Sequence, residues 1–276
     1  MRRHRFGPPT LIASDVDGTL IDDDDTVRPI TLRALANARA AGTPFVLATG
    51  RPPRWISQVA AQLDGVAEYA VCANGAIILD IVADRVLYSS TLAPDVLSVL
   101  AERAKELIPG CGLAAERVGE GAHDAVSPFI SSADYEHAWL NPDHIEVGDH
   151  EVVAEPAVKL LIRKPGMTST EMAARLRGEL GHLVEVTFST DNGLVELATP
   201  GVTKATGLQT LAQIASLSTA SVIAFGDMPN DIEMLRWAGR GVAMANAHPA
   251  AKAAADEIAT HNNNDGVGRV LARWFG

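Results

Sequence analysis

Leu11-Ile12-Ala13-Ser14-Asp15-Val16-Asp17-Gly18-Thr19-Leu20 opens on an apolar run and closes on two acids one residue apart. A short continuous apolar run is the mark of a strand buried on both faces. In an extended strand, residues two apart point to the same side, which predicts Asp15 and Asp17 crowded into one small volume where the strand ends. Two like charges so close are unfavourable unless a cation neutralises them or one holds a proton. Gly18 permits a sharp backbone departure, and its neighbours offer free N–H groups. The pattern suits a carboxylate that attacks phosphorus beside a bound magnesium ion, with a second carboxyl to move the proton. Acids before a glycine also make an ordinary turn, so the rest of the chain decides between the two readings.

Outward from this stretch, Pro29 begins a helix expected to reach Ala41, with Gly42 as its stop. Phe45 to Ala48 is a second buried strand, ending in Thr49-Gly50-Arg51, and Pro52-Pro53 start another helix. Tyr69 to Ala73 is a third strand, ending in Asn74-Gly75. Strands that alternate with helices, each ending in polar or glycine residues, predict an α/β fold with a doubly wound parallel sheet. All strand C-termini then share one edge, and ligands bind there near the switch in strand order.

The middle of the chain reads differently. Ala76 to Asp80 and Val86 to Ser89 resemble a hairpin, and a helix follows around Pro94 to Leu107. Gly119 to Glu155 is polar, Ala157 to Ile162 a strand, Thr168 to Leu180 a helix capped by Thr168 or Ser169, and Val184 to Phe188 another strand. This α+β segment is expected to be a second domain inserted into the first. Leu194 to Ala198, as a strand before a helix from Thr203 to Ala215, is expected to resume the parallel alternation, followed by Val222 to Phe225 and Gly226-Asp227. The expected division is a core of residues 1–83 and 190–276 around an insertion of residues 84–189.

The 276 residues are 47% hydrophobic, enough for a sizeable core, and carry 23 Lys plus Arg against 34 Asp plus Glu, a net charge of −11. That balance argues against a nucleic-acid or membrane-surface binder, while a local cation still binds anionic substrates. Cys72 and Cys111 sit in no CxxC pair, Met1 to Pro9 is basic without an apolar signal core, and no apolar stretch is long enough to span a bilayer. A reducing, cytoplasmic setting is the expectation. The acidic run Asp22 to Asp25 reads as a solvated loop near the site.

Four elements are expected to converge on one sheet edge: Asp15 with Asp17, Thr49 with Gly50, Lys204 in Gly201-Val202-Thr203-Lys204, and Asp227 in Gly226-Asp227-Met228-Pro229-Asn230-Asp231. Each has a task in phosphoryl transfer. Asp15 and Asp227, with a backbone carbonyl, are hard oxygen ligands for Mg2+. The Thr49 hydroxyl and nearby N–H groups bind phosphate oxygens, and Lys204 offsets the charge of the phosphoryl group and of Asp15. Asp231 holds a metal-bound water or orients Lys204.

With these stretches in hand, the chain resembles the haloacid dehalogenase superfamily of phosphohydrolases, in its Cof-type branch with a type IIB cap inserted after the third strand. The matching stretches are Asp15 to Leu20, Thr49-Gly50-Arg51, Asn74-Gly75-Ala76, Gly201 to Lys204, Gly226 to Leu235, Gly239 to Ala247 and Asn264-Asp265-Gly266-Val267. The resemblance implies a Rossmann-like core and a cap that selects substrate. It makes Asp15 the nucleophile that forms an aspartyl-phosphate, and Asp17 the acid for the leaving alcohol and then the base for water. Thr49 and Lys204 hold the phosphoryl group. Asp15, the Asp17 carbonyl, Asp227 and Asp231 surround Mg2+. Asn230 touches phosphate, and Arg51 and Asn74 meet the substrate. Met244-Ala245-Asn246 stands where a glycine is common in the middle, and is expected to lie away from the chemistry.

The acid at Asp17 favours an alcohol leaving group over halide, which departs without a proton. The expected activity is hydrolysis of small phosphorylated metabolites, sugar phosphates first. A phosphotransferase or mutase is the alternative; it needs a second phosphate site rich in Arg and Lys, whereas the insertion has scattered ones such as Arg117, Lys159, Arg163 and Lys164. A non-catalytic phospholigand-binding protein is the third reading, and a P-loop hydrolase is disfavoured because Lys204 lacks the glycine-rich cradle. In the insertion, His123, His137, Trp139 and Arg163 are the candidates for substrate selection. The expected partner is a small phosphorylated metabolite, with no nucleic acid and no membrane.

Overall fold

The computed structural model describes residues 7–138, 141 and 143–276. Trp139 and the residues before Gly7 lie outside the described residues. The chain divides into two units, one formed by Met1–Asp84 with Thr203–Gly276 and the other by Arg85–Val202.

The first unit contains β1 (Leu11–Ser14), α1 (Pro29–Ala40), β2 (Phe45–Ala48), α2 (Ile56–Gln62), β3 (Ala67–Cys72) and β4 (Ile77–Asp80). The second unit contains β5 (Arg85–Ser89), α3 (Pro94–Leu107), β6 (Gly112–Glu116), β7 (Phe129–Ser132), β8 (His144–Val147), α4 (Asp149–Val152), β9 (Lys159–Arg163), α5 (Ser169–Leu180), β10 (Glu185–Thr187) and β11 (Leu194–Ala198). The chain then returns to the first unit as α6 (Lys204–Ile214), β12 (Val222–Gly226), α7 (Ile232–Trp237), β13 (Arg240–Ala243), α8 (Pro249–Ala254), β14 (Glu257–Ile258) and α9 (Gly266–Phe275).

In the first unit the strand order is β14-β13-β12-β1-β2-β3-β4. Every neighbouring pair is parallel except β3 with β4. Every residue of β1, β2 and β12 is buried, as expected of strands covered on both faces. From β1 the chain winds outward through β2 and β3, and after the insertion it winds the other way through β12, β13 and β14. The switch in strand order therefore falls between β1 and β12, where a doubly wound sheet opens its ligand crevice. This is the α/β, Rossmann-like architecture that the strand–helix alternation predicts.

Helix α1 lacks a capping side chain of its own at Arg28. Asp265, at the start of α9, supplies the cap from the far end of the chain: its Oδ1 accepts from Ile30 N at 2.9 Å and Thr31 N at 3.2 Å. An acid there satisfies N–H groups that the helix cannot bond itself and opposes its dipole.

The second unit's sheet runs β10-β11-β9-β6-β7-β8, antiparallel except for the β7–β8 pair. Two expectations change here. Leu194–Ala198 belongs to this sheet, because it pairs antiparallel with β9 and β10. The insertion therefore ends at Val202 and not at residue 189; a wholly buried five-residue run carries no mark of which sheet it will join. The polar segment from Gly119 to Glu155 also contains β7, β8 and α4, three short elements that its composition conceals. Thr168 is the cap of α5, accepting from Glu171 N.

Candidate active site

Asp15 follows β1 directly. Its N–H donates to Phe225 O of β12 at 2.9 Å, which fixes the backbone at the switch point. The next residues form a wide turn closed by Ile21 N donating to Val16 O at 3.1 Å, with Asp17 extended and Gly18 left-handed at φ 68°. Gly18 is required by space as well as by conformation, since a Cβ there would stand 2.5 Å from Asp227 Oδ2.

This turn gives Asp15 and Asp17 different surroundings, although Asp17 still adds to the negative charge around Asp15. The strand ends at Ser14, so the two-residue alternation no longer governs the acids. Asp15 is 5% exposed and turned inward. The Asp17 side chain is 58% exposed and paired with Arg51, whose Nε and Nη2 donate to its two oxygens at 2.9 and 2.6 Å. Arg51 Nη2 also lies 3.6 Å from Asp25, so the acidic loop reaches the site's margin.

After β2, Thr49 is fully buried; its N–H donates to Val71 O and its hydroxyl accepts from Arg51 N at 3.0 Å. After β3, Ala73, Asn74 and Gly75 have positive φ in succession. Asn74 N donates to Thr49 O, and Ala73 N to Arg51 O, both at 3.0 Å. Gly75 admits a close neighbour: a Cβ there would be 2.1 Å from Thr203 O. That approach seats the start of α6, and with it Lys204, against the strand ends. Thr203 caps α6 by accepting from Thr206 N.

Lys204 is 0% exposed. Its Nζ donates to Asp15 Oδ1 and to Asp231 Oδ1, each at 2.6 Å. Asp231 Oδ2 accepts from Asp227 N and Met228 N, both at 2.9 Å, so the expected orientation of Lys204 by Asp231 is present in the geometry. Asn230 Nδ2 donates to Asn74 Oδ1 at 3.0 Å, and Gly50 lies against the same Asn74 oxygen. Asn230 Oδ1 is buried without a partner among the described residues.

Asp15, Asp227 and Asp231 each offer a carboxylate oxygen, and these atoms lie within 4.8 Å of one another. Burial, and then the Asp231 carboxylate, push the Asp15 carboxyl well above the usual range, and Lys204 offsets this only in part. Burial and Asp231 push Asp227 up to about 7, against the pull of its hydrogen-bonding partners. Burial lowers the Lys204 ammonium, but Asp15 and Asp231 outweigh it and hold it above its ordinary value. Three carboxylates against one ammonium leave an excess of buried negative charge, made of hard oxygen donors. That donor set fits a small divalent cation such as Mg2+.

Two groups at the site escape sequence reasoning. Thr19 donates to Asp227 Oδ1 at 3.1 Å; it stands within the stretch that opens the chain, but a threonine before a loop has no distinctive spacing. Asn246, in the segment expected to lie away from the chemistry, donates from Nδ2 to Gly18 O at 2.7 Å. The candidates His123, His137 and Arg163 belong to the second unit, where Arg163 donates to the carbonyls of Glu136 and Asn192.

Residues 12–271 match the family described as haloacid dehalogenase-like hydrolases. Among curated proteins, the 5-amino-6-(5-phospho-D-ribitylamino)uracil phosphatase YitU of Bacillus subtilis is 28% identical over 278 residues, covering 97% of this chain and 98% of its own. The pyridoxal phosphate phosphatase YbhA of Escherichia coli is 28% identical over 284 residues, covering 95% and 97%. Among solved structures, a haloacid dehalogenase-like hydrolase from Bacteroides thetaiotaomicron matches with a TM-score of 0.73 at 26% identity, over 96% of this chain and 99% of the other. The subclass IIB sugar phosphatase BT4131 shares the fold, with a TM-score of 0.78 at 23% identity over 96% and 98%. With its acids gathered at the switch point and nearly its whole length matched, the chain belongs to the haloacid dehalogenase-like hydrolases.

Proposed function

We propose that this phosphatase hydrolyses phosphomonoesters of small metabolites, sugar phosphates among them, through a covalent aspartyl-phosphate on Asp15. The observation that carries the reading is the buried Asp15–Lys204–Asp231 arrangement, with both contacts at 2.6 Å. It holds a carboxylate at the sheet edge with a fixed positive charge beside it, as an attack on a phosphoryl group requires.

In the first half-reaction an Asp15 oxygen bonds to phosphorus, the ester P–O bond breaks, and Asp17 gives its proton to the departing alkoxide. In the second, Asp17 takes a proton from the water that attacks phosphorus, and Asp15 is released with inorganic phosphate. Lys204, the Thr49 hydroxyl and Asn230 hold the phosphoryl oxygens, while Gly50, Arg51 and Asn74 form the surroundings that meet the substrate. Asp15, Asp227 and the Asp17 carbonyl would hold Mg2+, with Asp231 beside them; when bound, the ion offsets the negative charge of carboxylates and phosphoryl group. The inserted unit is assigned the choice of leaving group, because the core motifs act on the phosphoryl group alone.

The names of the relatives support small phosphorylated substrates, here a phosphoribitylamino-uracil and pyridoxal phosphate. Cys72 and Cys111 are buried thiols, which suits a reducing cytoplasmic setting. The test is turnover of p-nitrophenyl phosphate and a panel of sugar phosphates with and without Mg2+, beside the Asp15→Asn variant. Phosphate release that requires Mg2+ and vanishes in the variant supports the reading; substantial turnover by a folded Asp15→Asn protein removes the covalent step.

A further inference from the structure

The turn that carries Asp17 is fastened from outside by carboxamides that the reaction above does not use. Asn246 Nδ2 donates to Gly18 O at 2.7 Å, and Asn246 Oδ1 accepts from Asn262 N at 3.2 Å. Asn262 Nδ2 donates to Ile21 O at 2.9 Å. One residue on, Asn263 accepts from Asp23 N at 3.0 Å and donates to Asp23 Oδ2 at 2.7 Å. The chain from Gly18 to Asp23 is thus tied at three points to loops that lie more than two hundred residues away in sequence.

These ties fall where backbone orientation has chemical consequences. Asp17 is extended and Gly18 left-handed, so the peptide planes on either side of Gly18 fix where the Asp17 carbonyl points and from where its side chain departs. On its other side Gly18 has no slack, because Asp227 Oδ2 occupies the space a Cβ would take. The Asp17 carboxylate itself is largely exposed and is held by both Arg51 contacts. Arg51 and the backbone from which the side chain departs therefore set its aim together. Asn262 adds a second observation: it is buried, yet its Oδ1 has no hydrogen-bond partner among the described residues. A carboxamide kept inside with one end unsatisfied costs stability. Its remaining polar bond that bears on the turn is the one to Ile21 O.

We propose that Asn246 and Asn262 are positioning residues for Asp17, fixing the carbonyls of Gly18 and Ile21 and thereby the aim of both the Asp17 carboxyl and its backbone carbonyl. The proposal rests on the reading of Asp17 as the acid that protonates the leaving group and as a carbonyl ligand to Mg2+.

The test compares phenyl phosphate with p-nitrophenyl phosphate, whose phenol needs less protonation to depart. Binding of Mg2+ to the substrate-free protein is followed by calorimetry. Asn246→Ala is expected to lower kcat on phenyl phosphate by about 10- to 100-fold, as for other residues that orient a ligating group, with a loss several-fold smaller on p-nitrophenyl phosphate and weaker Mg2+ binding. Asn262→Leu removes the unsatisfied oxygen along with the donor. It is expected to melt at or above the wild-type temperature while showing the same ester-selective loss. Should Asn246→Ala fail to fold, Asn262→Leu carries the test by itself. Equal losses on both esters with unchanged Mg2+ binding, or a lower melting temperature with an unchanged ester ratio, overturns the proposal. The parent reading fails separately: if Asp17→Asn shows no ester selectivity, Asp17 is not the acid, whereas selectivity in Asp17→Asn but not in the asparagine variants overturns only the positioning role.

Discussion

Each unit buries a lysine among carboxylates, and the two arrangements are built differently. In the second unit Lys159 on β9 meets Glu196 on β11 at 3.1 Å, both nearly inaccessible, and Glu116 on β6 lies opposite Lys159 in the strand register. Those charges stand on adjoining strands, where the pleat brings them together. In the first unit Lys204, Asp15, Asp227 and Asp231 come from the ends of two strands, the start of a helix and the loop after β12. Asp15, Asp227 and Asp231 form the one group of three potential metal-holding side chains gathered among the described residues. A buried ion pair contributes little net stability, since desolvation offsets attraction. Burial of charge therefore does not by itself mark function. What distinguishes the first unit is that three carboxylates converge within 4.8 Å of one another at strand ends, a crowding that a bound cation relieves.

The largest expected effect breaks that comparison if it fails. Lys204→Ala removes the charge beside Asp15 and leaves buried carboxylates without their ammonium. The expected outcome is a loss of about 10²–10³-fold or more in kcat on p-nitrophenyl phosphate. Urea titration should show destabilisation of about 3–5 kcal/mol as well. The matched change in the second unit, Lys159→Met with Glu196→Leu and Glu116→Leu, replaces the buried charges by apolar side chains and should leave p-nitrophenyl phosphate turnover at the wild-type level. If this variant loses that turnover as Lys204→Ala does, the two arrangements are not functionally distinct.

Asp227 sharpens the comparison through pH. Burial, and then Asp231, push its carboxyl up to about 7 from the ordinary carboxylate value of 3.8, so the metal-free folded state binds the proton more tightly than the unfolded chain does. Stability from this group is fully present below the unfolded value and is lost as pH rises through the folded one. Metal-free wild type should therefore lose melting temperature relative to Asp227→Asn between about pH 4 and pH 7, with the gap constant above. Mg2+ should restore the wild type and not the variant, by a shift that grows over the same interval. A pH-independent gap would mean that Asp227 carries no strained charge in the metal-free protein.

The same contrast explains what was legible in the sequence. β1, β2 and β12 are continuous apolar runs that end at once in acid, threonine or glycine, so their type, length and shared edge follow from the residues. Asp15, Thr49, Lys204, Asp227 and Asp231 could be named because each follows such a run or opens a helix. The different burial of Asp15 and Asp17 is not legible, because the alternation rule holds only while the chain stays extended, and Gly18 sets a turn packed against Asp227. β11 reads as part of the first unit's sheet although it pairs in the second's, because a wholly buried run reads the same in either unit. β7 and β8 were hidden by polar neighbours, and Asn246 by having no local pattern: its partner, Gly18, is 228 residues away.

Asp265 is a buried acid of the first unit that should behave like the second unit's charges. Its carboxylate caps α1 and lies near Arg28, outside the cluster at the strand ends. Asp265→Ala is expected to cost about 1–2 kcal/mol by urea titration, the range for a lost helix cap. kcat on p-nitrophenyl phosphate should be unchanged once the protein is folded. A loss of turnover without a loss of stability would place Asp265 with the site and blur the distinction between charge held for chemistry and charge held for structure.

The smallest expected effect is at Glu257 on β14, a carboxylate that is only partly buried. Arg273 of α9 donates to both its oxygens, and Arg240 Nε lies 3.1 Å away. The hydrogen bonds from Arg273 hold Glu257 below its ordinary pKa, burial opposes them, and the charges of Arg273 and Arg240 add to the lowering. The sign is the reverse of that at Asp227. A depressed carboxylate contributes stability that is present above the unfolded value and is lost as pH falls through the folded one. Glu257→Gln should therefore be destabilised by about 0.2–1 kcal/mol at neutral pH, a range that reflects solvent screening of a partly exposed pair. The difference should shrink below about pH 4 as the wild-type carboxyl protonates, and again in about 1 M salt. Mg2+ should leave it unchanged, because Glu257 is not among the acids gathered at the strand ends. A Glu257→Gln difference that instead grew at low pH, or that depended on Mg2+, would mean that the two classes of charge are coupled through β13 and β14, and the contrast between them would have to be drawn elsewhere.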